Sequence, residues 1–500
     1  MRLKEALNEV EFTSNKDWQD IKDIDIKDIA YNSKDCKEDY IFVAIEGKTV
    51  DGHKYIQDAY ELGARIFIIS KEVSLPKDSI KILVKDSRKV LSKVSANFFK
   101  NPSTELVTIG ITGTKGKTTT ANIIRSILQN TDINTGVIGT NGIFYNNISK
   151  EAVNTTPESY ELQRIFRDMV DNKVKIVVME VSSGGLMMDR VNDIDFDIAL
   201  FTNISPDHIG PKEHPNFQHY LMCKSKLFKM ARHGIVNIDD DYGEYIIENS
   251  DSSIETFSIK RQSDFKAINI DRSRDLDSLG SKFLCKTKDG SYQFRLSLPG
   301  EFNIYNGLAA IAVCKYLKID TKVIMKTLKS IRIPGRVEVL PILDYATVIV
   351  DYAHNGVSLQ NVLDTLKEYN PNRLICLVGS VGGRTQGRRK ELGDVAAKEC
   401  DICILTADNP DYEDPRKIIN EMAESFVDSD CEVIKESDRE TAVRYGIGIL
   451  EEDDIFIISG KGHEKYQLIK GKKEYYSDQE VASNAAKRLL EYNKPLFNIK

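Results

Sequence analysis

A chain of 500 residues exceeds what one hydrophobic core organises and points to about three domains. Its 41% hydrophobic and 29% charged residues are those of a globular protein, and a formal net charge of -7 argues against a general nucleic-acid or membrane-surface binder. No apolar run approaches the ~20 residues that cross a bilayer, and the charged N-terminus lacks a signal-peptide core, so a cytoplasmic location without membrane insertion is expected.

Short apolar runs alternating with longer amphipathic stretches predict α/β domains. Residues 1–102 read as a small N-terminal domain, with strands at 40–45 and 64–69 around a helix near 53–62. Proline stops the preceding helix at Asn101-Pro102. Residues 103–333 read as a central domain with a mostly parallel sheet, having strands at 106–111, 174–181 and 196–202 and a helix at 307–317. Residues 334–500 read as a Rossmann-like domain with strands at 346–350, 373–378, 401–406 and 455–458. Polar or glycine-rich residues follow each of these four strands at once. Ligands bind beyond the carboxyl ends of parallel strands, so the four loops predict a crevice. The eight cysteines are scattered and read as reduced core thiols; Cys400-x-x-Cys403 lacks the second pair or histidine that zinc would need.

Thr112-Gly113-Thr114-Lys115-Gly116-Lys117-Thr118 lies between an apolar strand and a helical stretch. Backbone N–H groups of such a loop point at phosphate oxygens, and the helix N-terminus adds a positive end. Lys117 would reach the β/γ-phosphates of ATP and Thr118 would hold Mg²⁺. Ile111 occupies the place of the first glycine in the usual pattern, and Gly113 supplies the flexible position instead. Glu180, closing an apolar run, can bind Mg²⁺ directly or through water; a plain strand-end glutamate is the alternative. Ser182 and Ser183 could line the same crevice. His208 closes another strand, where a lone histidine is more often structural than ligating.

Taken together these segments resemble the Mur ligases. The loop continuing to Thr119 is similar to that family's phosphate loop. Asn154-Thr155-Thr156-Pro157 resembles its muramoyl-substrate loop, Glu180-Val181-Ser182-Ser183 its strand-end motif, and Asp207-His208 its metal-binding step. Phe302-Asn303-x-x-Asn306, Pro334-Gly335-Arg336-x-Glu338, Asp351-Tyr352-Ala353-His354 and Gly460-Lys461-Gly462-His463-Glu464 match further signatures in order. The stretch Phe42-Val43-Ala44…Asp51-Gly52-His53, the tripeptide Asp408-Asn409-Pro410 and the Gly460 to Glu464 loop resemble the branch that adds a third amino acid to UDP-MurNAc-L-Ala-D-Glu.

The resemblance implies an ATP-dependent ligase that forms an amide through an acyl phosphate, acts as a monomer and serves peptidoglycan synthesis. It places Lys117, Glu180, His208 and Lys224 in catalysis, with Thr118, Glu180, His208 and a carbamylated Lys224 on Mg²⁺. Gly113 to Thr119, Asn303, Asn306, Arg336 and Asp351 would hold the nucleotide. Ser33, Thr155, Thr156, Ser182, Ser183 and Arg190 would meet the UDP-sugar peptide; Arg384, Asp408, Asn409, Asp411, Gly460 and Glu464 would meet the amino acid. Gly184, Gly210 and Gly383 depart from the family pattern near these sites. Asp411 stands where enzymes choosing meso-diaminopimelate carry an arginine, which favours a cationic amino acid such as L-lysine. A related ligase with another acceptor, such as folylpolyglutamate synthetase or an archaeal pseudomurein ligase, and an inactive nucleotide-binding scaffold remain alternatives.

Overall fold

Apolar strands with both faces covered form the frame of the molecule. The computed structural model describes residues 1–47, 50–210, 213–275, 277–332, 337–383 and 386–492. It divides into two compact units, one of residues 1–266 with 286–290 and 305–324, the other of 267–285, 291–304 and 325–500.

The first unit carries two sheets. The N-terminal sheet runs Thr13–Ser14, Ile80–Leu83, Ile66–Ile69, Tyr40–Val43, Asp28–Ala30 in space, parallel except for the short first strand. The second contains Ser253–Ser258, Ala231–Asn237, Phe196–Phe201, Val107–Thr112, Ile176–Glu180 and Thr135–Gly139 as parallel neighbours. Ile176–Glu180 is buried throughout, as expected of a parallel strand covered on both faces. Register positions the site: Glu180 pairs with Ile111 and Phe201 with Thr112, so these strands release their chains at one edge. The antiparallel strands Gly142–Tyr145 and Ile148–Lys150, and the long strands Phe265–Asp275 and Ser278–Thr287, which lie mostly in the second unit, were not anticipated. Stretches such as Asp271-Arg272-Ser273-Arg274-Asp275 carry too little apolar alternation to read as strand.

In the second unit, Glu338–Leu340, Thr347–Asp351, Ile455–Ser459, Leu374–Ser380, Ile402–Ala407 and Glu432–Lys435 form one sheet in that order, parallel after the first pair. The four expected strands are its centre. Arg439 ties the ends of two of them, Ile402–Ala407 and Ile455–Ser459, together from within the core. Its guanidinium donates to the carbonyls of Ala407 at 3.3 Å and Ser459 at 2.9 Å, and pairs with Asp478 at 2.9 Å, both ionic side chains being fully buried. Burial opposes the charge, and Asp478 overcomes it, holding the guanidinium protonated. All eight cysteines are buried free thiols.

Removing one member of a buried ion pair strands the other. Arg439→Met is therefore expected to cost about 3–5 kcal/mol, read as a lower urea midpoint, whereas exchanging both Arg439 and Asp478 for apolar residues should restore much of it. An unchanged midpoint in the single variant would contradict the strut.

Candidate active site

Beyond Thr112 the chain makes a turn only glycine tolerates. Gly113 has φ 152° and Gly116 φ 85°. A Cβ on Gly113 would overlap Thr202 Oγ1, and one on Gly116 would stand 2.5 Å from Asn306 Oδ1. The neighbouring strand's exit loop fastens this turn: Thr114 N donates to Asn203 O at 2.8 Å, Lys115 N to Asn203 Oδ1 at 2.9 Å, and Thr202 Oγ1 to Lys115 O at 2.7 Å. The helix Lys117–Gln129 then begins without a side-chain cap, so its first N–H groups are available to an anion. Thr119 lies in its first turn.

Two lysines converge on the Gly113 carbonyl, Lys117 Nζ at 2.8 Å and Lys224 Nζ at 2.8 Å. Burial lowers the Lys117 pKa, with Glu180 and Asp207 opposing. Lys224, 1% exposed, is driven well below the ordinary lysine value, first by burial and then by Lys117. Beside them the buried Glu180 accepts from Thr118 Oγ1 at 2.9 Å and from Thr140 N at 3.0 Å. Its carboxylate fills the space a side chain on Gly139 would need. Hydroxyl and carboxylate oxygens are donors that suit Mg²⁺, and the pair faces the uncapped turn, so the residues fit a magnesium nucleotide.

The expected peptide-side residues gather on the same edge. Thr155 Oγ1 lies 3.0 Å from Thr140 Oγ1; Thr156 Oγ1 donates to Glu180 O at 3.0 Å and lies 3.0 Å from Ser182 Oγ. Arg190 donates to Thr156 O at 3.0 Å and pairs with Glu158 at 3.3 Å. Ser183 Oγ meets His214 Nε2 at 2.9 Å. His208 stands apart. Its side chain is 55% exposed and its Nδ1 lies 2.8 Å from Glu213 Oε1, although its ring and Lys224 both border Tyr220, at 6.2 Å and 4.5 Å. Asn306 Oδ1 accepts from Thr120 at 3.2 Å behind the turn, whereas Asn303 donates to Pro299 O at 2.7 Å. Ser33 occupies the turn Ser33–Asp35 beyond the parallel strand Asp28–Ala30.

The second unit has its own cleft of about 440 Å³. Tyr352 and His354, Ser380 to Gly382, Asp408, Asn409 and Asp411 with Gly460 and Glu464 line it, so all four expected strand-end loops contribute. At its base the fully buried Lys461 donates to Asn409 Oδ1 at 3.0 Å, Glu464 Oε2 at 3.3 Å and Asp408 Oδ1 at 3.4 Å. Asp411, at φ 52°, accepts from Gly471 N at 2.7 Å, and Arg388 and Lys473 share the wall. Asp351 accepts from Val337 N and Ala353 N, each at 2.7 Å. Arg336 and Arg384 lie outside the described residues.

Sequence reasoning missed Asn203, Thr140, His214 and Lys461. The Gly-Lys-Gly-His-Glu segment contained Lys461, but only packing shows that its ammonium organises the acidic residues around it.

Three family descriptions match in order: Mur ligase family, catalytic domain, over residues 25–100; Mur ligase middle domain over 111–314; and Mur ligase, glutamate ligase domain over 335–462. The UDP-N-acetylmuramoyl-L-alanyl-D-glutamate--2,6-diaminopimelate ligase of Clostridium perfringens (strain 13 / Type A) is 39% identical over 490 residues, covering 96% of this chain and 98% of the relative. Its counterpart from Clostridium tetani (strain Massachusetts / E88) is 38% identical, covering 98% and 100%. A solved structure of a ligase with the same name superposes with a TM-score of 0.79 at 25% identity, covering 98% of this chain and 99% of the other.

Gly116→Ala should weaken MgATP binding at least tenfold by calorimetry, because a Cβ at left-handed φ costs about 1–2 kcal/mol and also displaces Asn306. Unchanged affinity would exclude this turn as the phosphate cradle.

Proposed function

We propose that this chain, which belongs to the Mur ligase family of ATP-dependent amide-bond-forming ligases, adds the third amino acid to UDP-MurNAc-L-Ala-D-Glu in peptidoglycan precursor synthesis. The observation that carries the reading is the meeting of Lys117, Lys224, Thr118 and Glu180 around one uncapped helix end, with Thr156 and Ser182 adjoining.

A carboxylate is a poor electrophile and must first be activated. The γ-phosphate passes to the D-Glu carboxylate, and the amine of the incoming amino acid displaces phosphate from the resulting acyl phosphate. Such transfer is mainly positioning and charge neutralisation. Lys117 would neutralise the β/γ-phosphates, and the loop N–H groups would cradle the phosphates. Thr118 and Glu180 would hold Mg²⁺, which supplies further charge neutralisation. Thr155, Thr156, Ser182, Ser183 and Arg190 orient the peptide carboxylate, and Ser33 meets the uridine end. Asn303, Asn306, Arg336 and Asp351 are assigned to the nucleotide.

Lys224 is buried beside another lysine, which favours its neutral amine. That form adds to CO₂: the nitrogen bonds to carbon and one proton leaves, converting the neutral amine into a carbamate anion. The product would serve a second cation site with His208, assigned on their shared border with Tyr220. Arg384, Asp408, Asn409, Gly460 and Glu464 are assigned to the amino acid.

The identity of that amino acid turns on the cleft. Asp411 alone suggested a lone distal ammonium, as in L-lysine. Its Oδ1 is engaged by Gly471, and Arg388 and Lys473 add positive charge to the same wall. A distal group carrying both charges fits these side chains better, which supports 2,6-diaminopimelate, the amino acid in the names of the relatives. L-Lysine is the second reading, resting on Asp411 with Glu464.

ADP release with UDP-MurNAc-L-Ala-D-Glu is expected to rise at least tenfold with 2,6-diaminopimelate over L-lysine or L-ornithine. Preference for L-lysine would restore the charge reading, and no stimulation by any amino acid would favour a scaffold. Lys224→Ala should lower kcat by about 10²–10³, by analogy with losing one charge-stabilising group, with partial rescue by added short carboxylates. Full activity without rescue would sink the carbamate assignment.

A further inference from the structure

The helix Phe217–Ser225 that carries Lys224 also carries His219 and Cys223, four residues apart and so on one face. His214, on the preceding loop, brings its ring to them. His214 Nδ1 and His219 Nδ1 are 2.9 Å apart, and Cys223 Sγ is 3.7 Å from the same His219 nitrogen. One ligand atom from each of the three residues lies within 4.8 Å of the others. His214 and Cys223 are each 1% exposed.

We propose that His214, His219 and Cys223 form a three-ligand site for a thiophilic divalent cation, Zn²⁺ by its chemistry. Zinc bonds of about 2.0–2.1 Å to nitrogen and about 2.3 Å to sulfur, spread at the tetrahedral angle, set ligand atoms about 3.3–3.6 Å apart. The His214–His219 and His219–Cys223 separations differ from these by less than half an ångström, and the His214–Cys223 pair lies within 4.8 Å. Two imidazole nitrogens facing one another at 2.9 Å share a single proton, and a cation between them replaces it. His214 keeps its other nitrogen, Nε2, on Ser183 Oγ, the outer hydrogen bond that fixes the ring of a metal-bound histidine. Nitrogen and sulfur donors discriminate against Mg²⁺, which takes oxygen, so this site is separate from the Thr118–Glu180 pair. The fourth coordination position is left for water. Occupancy joins the His214 loop to the helix bearing Lys224 by three bonds, independently of which amino acid the enzyme uses.

The full-length protein, stripped with a chelator, is titrated with Zn²⁺ and separately with Co²⁺ in excess Mg²⁺. One Zn²⁺ per chain is expected to bind with a Kd below about micromolar, raise the melting temperature and give Co²⁺ a thiolate charge-transfer absorption in the near ultraviolet. Cys223→Ala and His219→Gln should each weaken Zn²⁺ at least about a hundredfold and Cys223→Ala should abolish the absorption, while MgATP affinity is retained as a check on folding. Absence of the charge-transfer band in the unaltered protein overturns the site whatever the variants do. So does equal Zn²⁺ affinity in folded variants.

Discussion

One backbone oxygen sets the terms of the nucleotide-binding unit. The Gly113 carbonyl accepts from Lys117 and Lys224 at the same 2.8 Å, bringing two like charges toward one neutral acceptor in a buried place. Such a convergence is unstable while both amines are protonated and no anion is near. It is relieved by polyphosphate, by neutralising Lys224, or by both. The carbonyl is presented this way because residue 113 has left-handed backbone and no Cβ, and because Thr202 and Asn203 hold the turn from the next strand. Local glycine chemistry, sheet register and site electrostatics are thus one constraint seen at three scales.

The two units solve the same placement problem with different charges. In each, parallel strands end in register and their exit loops share an edge. In the first unit the surplus at that edge is cationic around a carbonyl. In the second a buried ammonium, Lys461, gathers Asp408, Asn409 and Glu464, so that carboxylates and an amide line the cleft without repelling one another. An anionic and a cationic ligand would call for these opposite arrangements.

The parallel frame was legible because buried parallel strands read as continuous apolar runs, as at Ile176–Glu180 and Ile455–Ser459, and because glycine-rich loops follow them. The strands in 265–287 were not, since their charged positions hide the period. Among site residues, Lys117, Thr118 and Glu180 were readable from spacing, for each sits at a strand end or helix start. Asn203 and His214 were not, because nothing near them in sequence signals the loop or hydroxyl they meet across the fold. Asp411 shows the converse difficulty: its charge could be read, but the Gly471 amide that engages it and the Lys473 ammonium sharing its wall come from 60 residues or more downstream.

The buried Arg439–Asp478 pair carries a consequence for the order in which the molecule is completed during synthesis. The phosphate turn packs on Asn306 and is complete once that helix has emerged, whereas Arg439, which bridges the ends of Ile402–Ala407 and Ile455–Ser459, lacks its counter-charge until Asp478 has been made. A nascent chain can therefore complete the phosphate turn well before the second cleft is braced. Chains interrupted between residues 316 and 478 would have the phosphate turn in place while the strand ends of the second cleft lack their buried ion pair.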